Sequence, residues 1–199
     1  MKKLTFLMCA LAFLFNANAQ EPQFVSKEQQ NRNVLIEEFT GRNCGYCPDG
    51  HKVANKISQD NPGRVWAVNI HGGGYSPTTY PNLNTTDGNV ISGGFSVASY
   101  PAGVVNRSTA GSVDRGQWTS LSNTQLAQTA EVNVGGQAVI NPVSRTATIT
   151  VEAYYTADSK ESTNYLTVMM LEDSIFGAQS GSTMNPSQII NGEYCHMHV

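Results

Sequence analysis

A chain of 199 residues has room for one large domain or two small ones. With 40% hydrophobic and 14% charged residues it is too apolar for a disordered segment and too lightly charged for a coiled coil. Twelve Lys plus Arg against 15 Asp plus Glu give a net charge of −3, with no basic excess to attract nucleic acid.

Met1-Lys2-Lys3 is a short positive start, residues 4–15 are an apolar run, and Ala17-Asn18-Ala19 is a small-x-small cleavage pattern. Residues 1–19 therefore read as a secretory signal peptide. Its removal takes Lys2 and Lys3 but no acid, so the exported chain is more acidic than the whole. Cys9 lies inside the apolar run behind Met8, where a lipid anchor would need a small residue. No later stretch is apolar for long enough to predict a transmembrane helix. Cys44, Cys47 and Cys195 remain after export, in a compartment where disulfides persist. Three is odd, so one thiol lacks an intramolecular partner.

Residues 20–32 are polar and read as a tether. Residues 34–39 predict the first strand, with Val34, Ile36 and Glu38 on one face and Leu35, Glu37 and Phe39 on the other. A turn over 40–43 leads to Cys44. From Cys47 to Gln59 the apolar spacing of Gly50, Val53, Ala54 and Ile57 predicts a helix, stopped by Asn61-Pro62-Gly63. Residues 65–70 predict a second strand. Residues 71–99, rich in Gly and Pro, predict a long loop with a short helix near 86–92. A strand over 103–106 and a helix over 114–129 follow, the latter burying Trp118, Leu121 and Leu126.

Beyond residue 128 the pattern changes to successive strands without helices: 131–134, 138–140, 146–155 and 165–171, with Gly135-Gly136 as a turn. Tyr194 to Val199 also has strand character. Such a run predicts a β-sandwich-like region over 129–199, short for a sandwich and cut off without a closing turn, so the sequence reads as truncated there.

Cys44-Gly45-Tyr46-Cys47 lies between a predicted strand and a predicted helix. Two cysteines at this spacing can close a small disulfide. Near a helix start, unpaired N–H groups and the helix dipole favour a thiolate on the first sulfur. Cys44 is then the exposed attacking sulfur and Cys47 the resolving one. Pro48 suits the first helical turn. Half a zinc site would need a second C-x-x-C or an H-x-x-x-H pair, and the sequence has neither.

Glu38 stands six residues before Cys44, and Pro101 follows Val97 by four and precedes a core strand. With the C-x-x-C these residues resemble a thioredoxin-like domain. The resemblance implies that Glu38 is a buried acid serving proton transfer. It also implies a cis Tyr100–Pro101 loop that faces the disulfide and holds substrate backbone. Asn43 stands where that family usually has Trp, and the interval from Cys47 to Pro101 is longer than in minimal members.

Further blocks sharpen the likeness: residues 34–41, Cys47-Pro48-Asp49-Gly50-His51, residues 100–107, Leu171-Glu172-Asp173-Ser174-Ile175 and Tyr194-Cys195-His196-Met197-His198-Val199. Together they resemble the Omp-twenty-eight-related family of outer membrane proteins. The resemblance implies an exported protein of the Gram-negative envelope, in the periplasm or at the outer membrane or cell surface, with a thioredoxin-like region over 33–128 followed by β structure.

Other residues carry blander readings. His51 is expected on a solvated helix face. His196 and His198 share one expected strand face beside Cys195, but two ligands on a strand are not a metal site. His71 reads as a strand-end residue. Gly72-Gly73-Gly74 lacks the Lys-Ser/Thr of a phosphate loop. The expected function is thiol–disulfide exchange on envelope proteins or peptides that carry thiols or disulfides. Cys44, Cys47, Glu38 and Pro101 would serve the chemistry and Tyr100-Pro101 would hold substrate. No metal or dissociable cofactor is expected. The alternative is a non-enzymatic surface binding or adhesion protein built on the same scaffold, for which a buried Cys44 sulfur would speak.

Overall fold

The computed structural model describes residues 24–199, so the expected signal peptide, Cys9 and the start of the expected tether lie outside the described residues. The chain is a mixed α/β protein with three sheets and three α-helices among those residues.

The first sheet has the strand order β2-β1-β3-β4, with β1 (Val34–Thr40) parallel to β2 (Val65–His71) and antiparallel to β3 (Ala102–Val105), which pairs antiparallel with β4 (Val113–Asp114). Helix α1 (Cys47–Asp60) connects β1 to β2, α2 (Thr86–Gly94) lies between β2 and β3, and α3 (Trp118–Leu126) follows β4. The long loop thus contains the expected short helix, capped by the Thr85 hydroxyl, which accepts from the Gly88 N–H at 2.9 Å.

Strand β1 is central, so both of its faces are covered, and its two side-chain sets go to two apolar clusters. Val34 and Ile36 join Ala54 and Ile57 of α1, Val65, Ala67, Val105 and Trp118 on one side. Phe39 joins Val68, Ile70 and Val104 on the other, with Leu35, Phe95, Val97, Tyr100 and Met169 packed around them. The alternation places Glu38 under α1 and Glu37 on the opposite face.

Glu37 is 1% exposed and accepts two hydrogen bonds from Arg107, Nε at 2.8 Å and Nη2 at 2.6 Å. Removing the guanidinium leaves a buried carboxylate without its partner. A fully buried pair broken this way costs about 3–5 kcal/mol, and the half-exposed Arg107 lowers that to about 2 kcal/mol. Arg107→Ala should therefore lower the unfolding free energy from urea titration by that amount; an unchanged midpoint would contradict it.

Beyond residue 128 the architecture departs from the expected sandwich. Strands β5 (Val132–Asn141) and β6 (Thr146–Tyr155) form a two-stranded hairpin, and β7 (Ile175–Gly177), β8 (Ile189–Ile190) and β9 (Glu193–His196) form a separate sheet of order β7-β9-β8. Residues 136–150 of the hairpin are exposed on both faces. The alternation of Thr146–Val151 marks a real strand, but among the described residues no second sheet covers it, so the expected sandwich over 129–199 is corrected to a hairpin and a separate small sheet. Gly135-Gly136 is not a turn but lies within β5. A Cβ on Gly135 would meet Phe24 and Val25 at 3.1 and 3.2 Å, so the glycine admits the N-terminal segment against the strand. That segment is pinned rather than free: the Phe24 and Val25 N–H groups donate to Glu152 Oε2.

Residues 165–171 are not a strand either. They run over the second apolar cluster, where Met169 supplies packing in place of ladder hydrogen bonds. The last residues return to the first sheet. Asn69 of β2 donates its N–H to the His198 carbonyl and its Nδ2 to the Met197 carbonyl, both at 2.7 Å.

Candidate functional site

The turn after β1 is tight because Gly41 lets the chain at Tyr75 approach; a Cβ there would meet the Tyr75 carbonyl at 2.6 Å. The Asn43 N–H donates to Tyr75 O at 2.8 Å and the Cys44 N–H to Gly41 O at 3.0 Å. Helix α1 then begins at Cys47 with Pro48 in its first turn, where a missing N–H is harmless. Cys44 and Cys47 form a disulfide with Cα atoms 5.4 Å apart, inside the normal range. Cys195 is free and buried.

Glu38 is 0% exposed, and neither carboxylate oxygen has a hydrogen-bond partner among the described residues. Burial pushes its pKa well above the ordinary carboxylate value, and the Arg115 charge opposes this only in part. Its Oε1 lies against the Cα of Gly50, one turn after Cys47. The Pro101 ring meets the same point, 2.9 Å from where a Cβ would stand. Gly50 is therefore a glycine by necessity: acid and proline converge on it. The Tyr100–Pro101 bond is cis, and the Tyr100 ring packs against Gly73 and Tyr75, centroids 5.4 Å apart in the second case. Glu38 and Pro101 thus meet at the first turn of α1, which Cys47 begins, while Tyr100 packs with the second apolar cluster and Tyr75.

One expectation fails. Cys44 is 2% exposed and Cys47 0%, so the first sulfur is not the accessible one. A cover reaches it from the C-terminal segment. Gln179 donates through Nε2 to the carbonyls of Cys44 at 3.1 Å and Gly41 at 3.2 Å, and the Ser180 N–H donates to Arg42 O at 2.8 Å. Gly181 holds a left-handed conformation, φ 69°, with its Cα against the Gly45 carbonyl, where any Cβ would collide. No local pattern signals this contact, since more than 130 residues separate its two sides.

His51 corrects a second expectation: it is buried, not solvated. Its Nε2 is 2.9 Å from Thr40 Oγ1 and its Nδ1 2.7 Å from the Tyr194 hydroxyl. The signal was present, because His51 sits four after Cys47 and three before Ala54 on the apolar stripe. The rings continue from His51 to Tyr194, His196 and His71, with centroids 5.9, 5.1 and 5.5 Å apart. Burial lowers the pKa of His51 to about 3, His71 to about 2 and His196 to about 4, with mutual repulsion adding to the first two. All three are neutral at pH 7. His198 does not share a strand face with His196. It lies beyond β9 at φ 56° and pairs with Asp173 at 3.0 Å. Among the described residues no three His, Cys, Asp or Glu side chains are grouped to hold a metal.

Residues 89–199, more than half of the chain, match the family described as Outer membrane protein Omp28. The chain belongs to that family. The matched region carries Pro101, the cover and Tyr194, and begins after the C-x-x-C. Family membership assigns the protein to the cell envelope. No helix among the described residues is long and apolar enough to cross a membrane. HBP35 of Porphyromonas gingivalis has a similar structure, TM-score 0.58 at 18% identity, over 85% of this chain. The match spans 55% of that chain, so this sequence corresponds to about half of its length. At that identity the likeness is one of fold alone. A protein from Agrobacterium tumefaciens matches more distantly, TM-score 0.37 at 13% identity, over 65% of this chain and 71% of that one, and carries no argument. No curated protein matches the sequence.

Proposed function

We propose that residues 33–128 form a thioredoxin-like domain and residues 129–199 a second, β-rich one, in an exported envelope protein that exchanges thiols and disulfides through Cys44–Cys47. The observation that carries this reading is the meeting of Glu38 and Pro101 at Gly50, directly behind a disulfide at the start of α1. The sheet order β2-β1-β3-β4, with helices after β1, β2 and β4, supports the domain assignment.

In the oxidised protein Glu38, whose protonated form burial favours, is placed to act as an acid. A substrate thiolate attacks Cys44 Sγ. The new sulfur–sulfur bond forms, the Cys44–Cys47 bond breaks, and Cys47 leaves as a thiolate that takes the Glu38 proton. A second substrate thiolate then attacks the substrate sulfur of the mixed disulfide, and Cys44 leaves as a thiolate. Two electrons have passed from a substrate dithiol to the pair, and the reverse reaction retraces these steps. Tyr100 and Pro101 flank the approach and hold the substrate strand. The cover over Cys44 must lift before the attack.

Burial of both sulfurs beneath Gln179–Gly181 favours a second reading, a binding or adhesion protein in which the disulfide is a fixed brace. Trapping separates the two. In an envelope extract, Cys47→Ser should accumulate mixed disulfides on Cys44 that vanish on reduction, and Cys44→Ser should form none. Cys47→Ser adducts no more abundant than the Cys44→Ser background would replace exchange with binding.

A further inference from the structure

Helix α1 and the C-terminal sheet meet at a hydrogen-bond chain that ends beside Glu38. Its outer end is Asn185, whose Oδ1 takes the Ser187 hydroxyl at 2.7 Å and whose Nδ2 donates to Gln188 Oε1 at 2.6 Å. The same Oε1 accepts the Tyr194 hydroxyl at 2.6 Å. With the Ser187 hydroxyl donating to Asn185 Oδ1, Asn185 Nδ2 faces Gln188, and the Gln188 atom that meets both Asn185 and Tyr194 is its oxygen. The Tyr194 proton is therefore committed to Gln188. The Tyr194 oxygen, 2.7 Å from His51 Nδ1, is left to accept. A neutral histidine carries one ring proton, and this arrangement puts it on Nδ1. The other nitrogen, Nε2, then takes the Thr40 hydroxyl at 2.9 Å and lies 3.7 Å from Glu38 Oε1, too far for a hydrogen bond but close enough for its charge to be felt.

We propose that Tyr194, held by Gln188, is a positioning residue that fixes the His51 tautomer and thereby disfavours the carboxylate of Glu38. The inference rests on the exchange reading above, since it gives the C-terminal segment a part in the proton transfer assigned there to Glu38. An unprotonated, electron-rich nitrogen beside a buried carboxyl group repels the carboxylate and so favours the protonated form. The opposite tautomer would donate from Nε2 to Thr40 Oγ1 and turn the positive end of that N–H dipole toward the same side as Glu38, which eases the carboxylate. Two chemical states of the acid thus depend on where one proton sits on His51, and that depends on which way the Tyr194 hydroxyl points.

The other groups facing this pair do not reverse the effect. Arg115 acts on Glu38 from the segment after β4 and favours the carboxylate in either tautomer. His196 faces His51 from β9 and His71 lies beyond it on β2, and both remain neutral at pH 7. Arg42 acts on those two histidines. Thr40 is a hydroxyl that can donate to a bare Nε2 or accept from a protonated one.

Long-range proton–nitrogen spectra of the oxidised, labelled chain read the tautomer directly, and carboxyl carbon shifts follow the Glu38 titration. The wild type should show His51 protonated on Nδ1. Tyr194→Phe removes the acceptor, and Gln188→Leu frees the Tyr194 proton to point at Nδ1. Both should move the His51 proton to Nε2 and lower the Glu38 titration by about one pH unit or more. Gln188→Glu still accepts from Tyr194 and should behave as the wild type, which separates the lock from a mere packing change. The pH profile of exchange with a small dithiol should shift down with the Glu38 titration. A wild-type His51 protonated on Nε2, or a tautomer that flips without moving Glu38, overturns the inference. Spectra that follow the expected pattern in a chain that exchanges no thiols uphold the lock and overturn the exchange reading instead.

Discussion

Between pH 6.5 and pH 5 the fold should lose about 3 kcal/mol of stability. His51, His71 and His196 have folded pKa values lowered to about 3, 2 and 4, while an unfolded chain titrates them near 6.5. As the pH falls through 6.5 the unfolded chain gains protons that the folded chain refuses. Each contributes a loss of about 1.4 kcal/mol per pH unit until its folded pKa is reached. Glu38 acts in the opposite sense. Its folded pKa is raised, so between its unfolded value of about 4.3 and its folded value the folded chain holds the extra proton. Three histidines less one carboxyl leave up to two net protons, or about 3 kcal/mol per pH unit. A domain has about 5–15 kcal/mol in all, so unfolding by pH 4 is expected. Urea midpoints across the pH range read this slope. His71→Phe keeps a ring in the same space, and neither nitrogen of His71 has a hydrogen-bond partner among the described residues. It should flatten the slope by about one proton, 1.4 kcal/mol per pH unit. A variant as acid-sensitive as the wild type would show that His71 does not contribute.

The histidines also mark the boundary of what the sequence discloses. The strand 34–39, the helix from Cys47 and the strand after Pro101 are legible because apolar residues recur at periods that only one backbone geometry satisfies. Glu38 is legible by parity with Val34 and Ile36. His51 has the right position for burial but the wrong residue type, and position wins because Tyr194, 143 residues later, satisfies its ring. Gly135-Gly136 has turn composition yet sits in a strand, because the space beside it is taken by Phe24 and Val25. Residues 165–171 have strand composition yet make side-chain contacts instead of a ladder. In each case the deciding partner lies more than 60 residues away, where periodicity and turn chemistry carry no information.

The cover over the disulfide is the most consequential of these distant contacts, and it should control how fast Cys44–Cys47 is reduced. A reductant reaches a buried sulfur through the fraction of molecules in which the cover is lifted. Gln179→Ala removes donors from the Cys44 and Gly41 carbonyls, a loss of about 1–2 kcal/mol. Gly181→Val adds a side chain where the Gly45 carbonyl already stands, in a backbone conformation that costs a β-branched residue about 1–3 kcal/mol more. Every 1.4 kcal/mol taken from the closed state raises the lifted fraction about tenfold while that fraction is small. Reduction by dithiothreitol should therefore speed up about tenfold in Gln179→Ala and about a hundredfold in Gly181→Val. Thr183→Ala changes an exposed residue of the same segment and should leave the rate alone. The order of the three rates matters more than their size, because global destabilisation would accelerate reduction and urea unfolding together. The cover predicts faster reduction at a nearly constant urea midpoint. Three variants reduced at the wild-type rate would mean that the sulfurs are reached by another route, and the cover would then be packing alone.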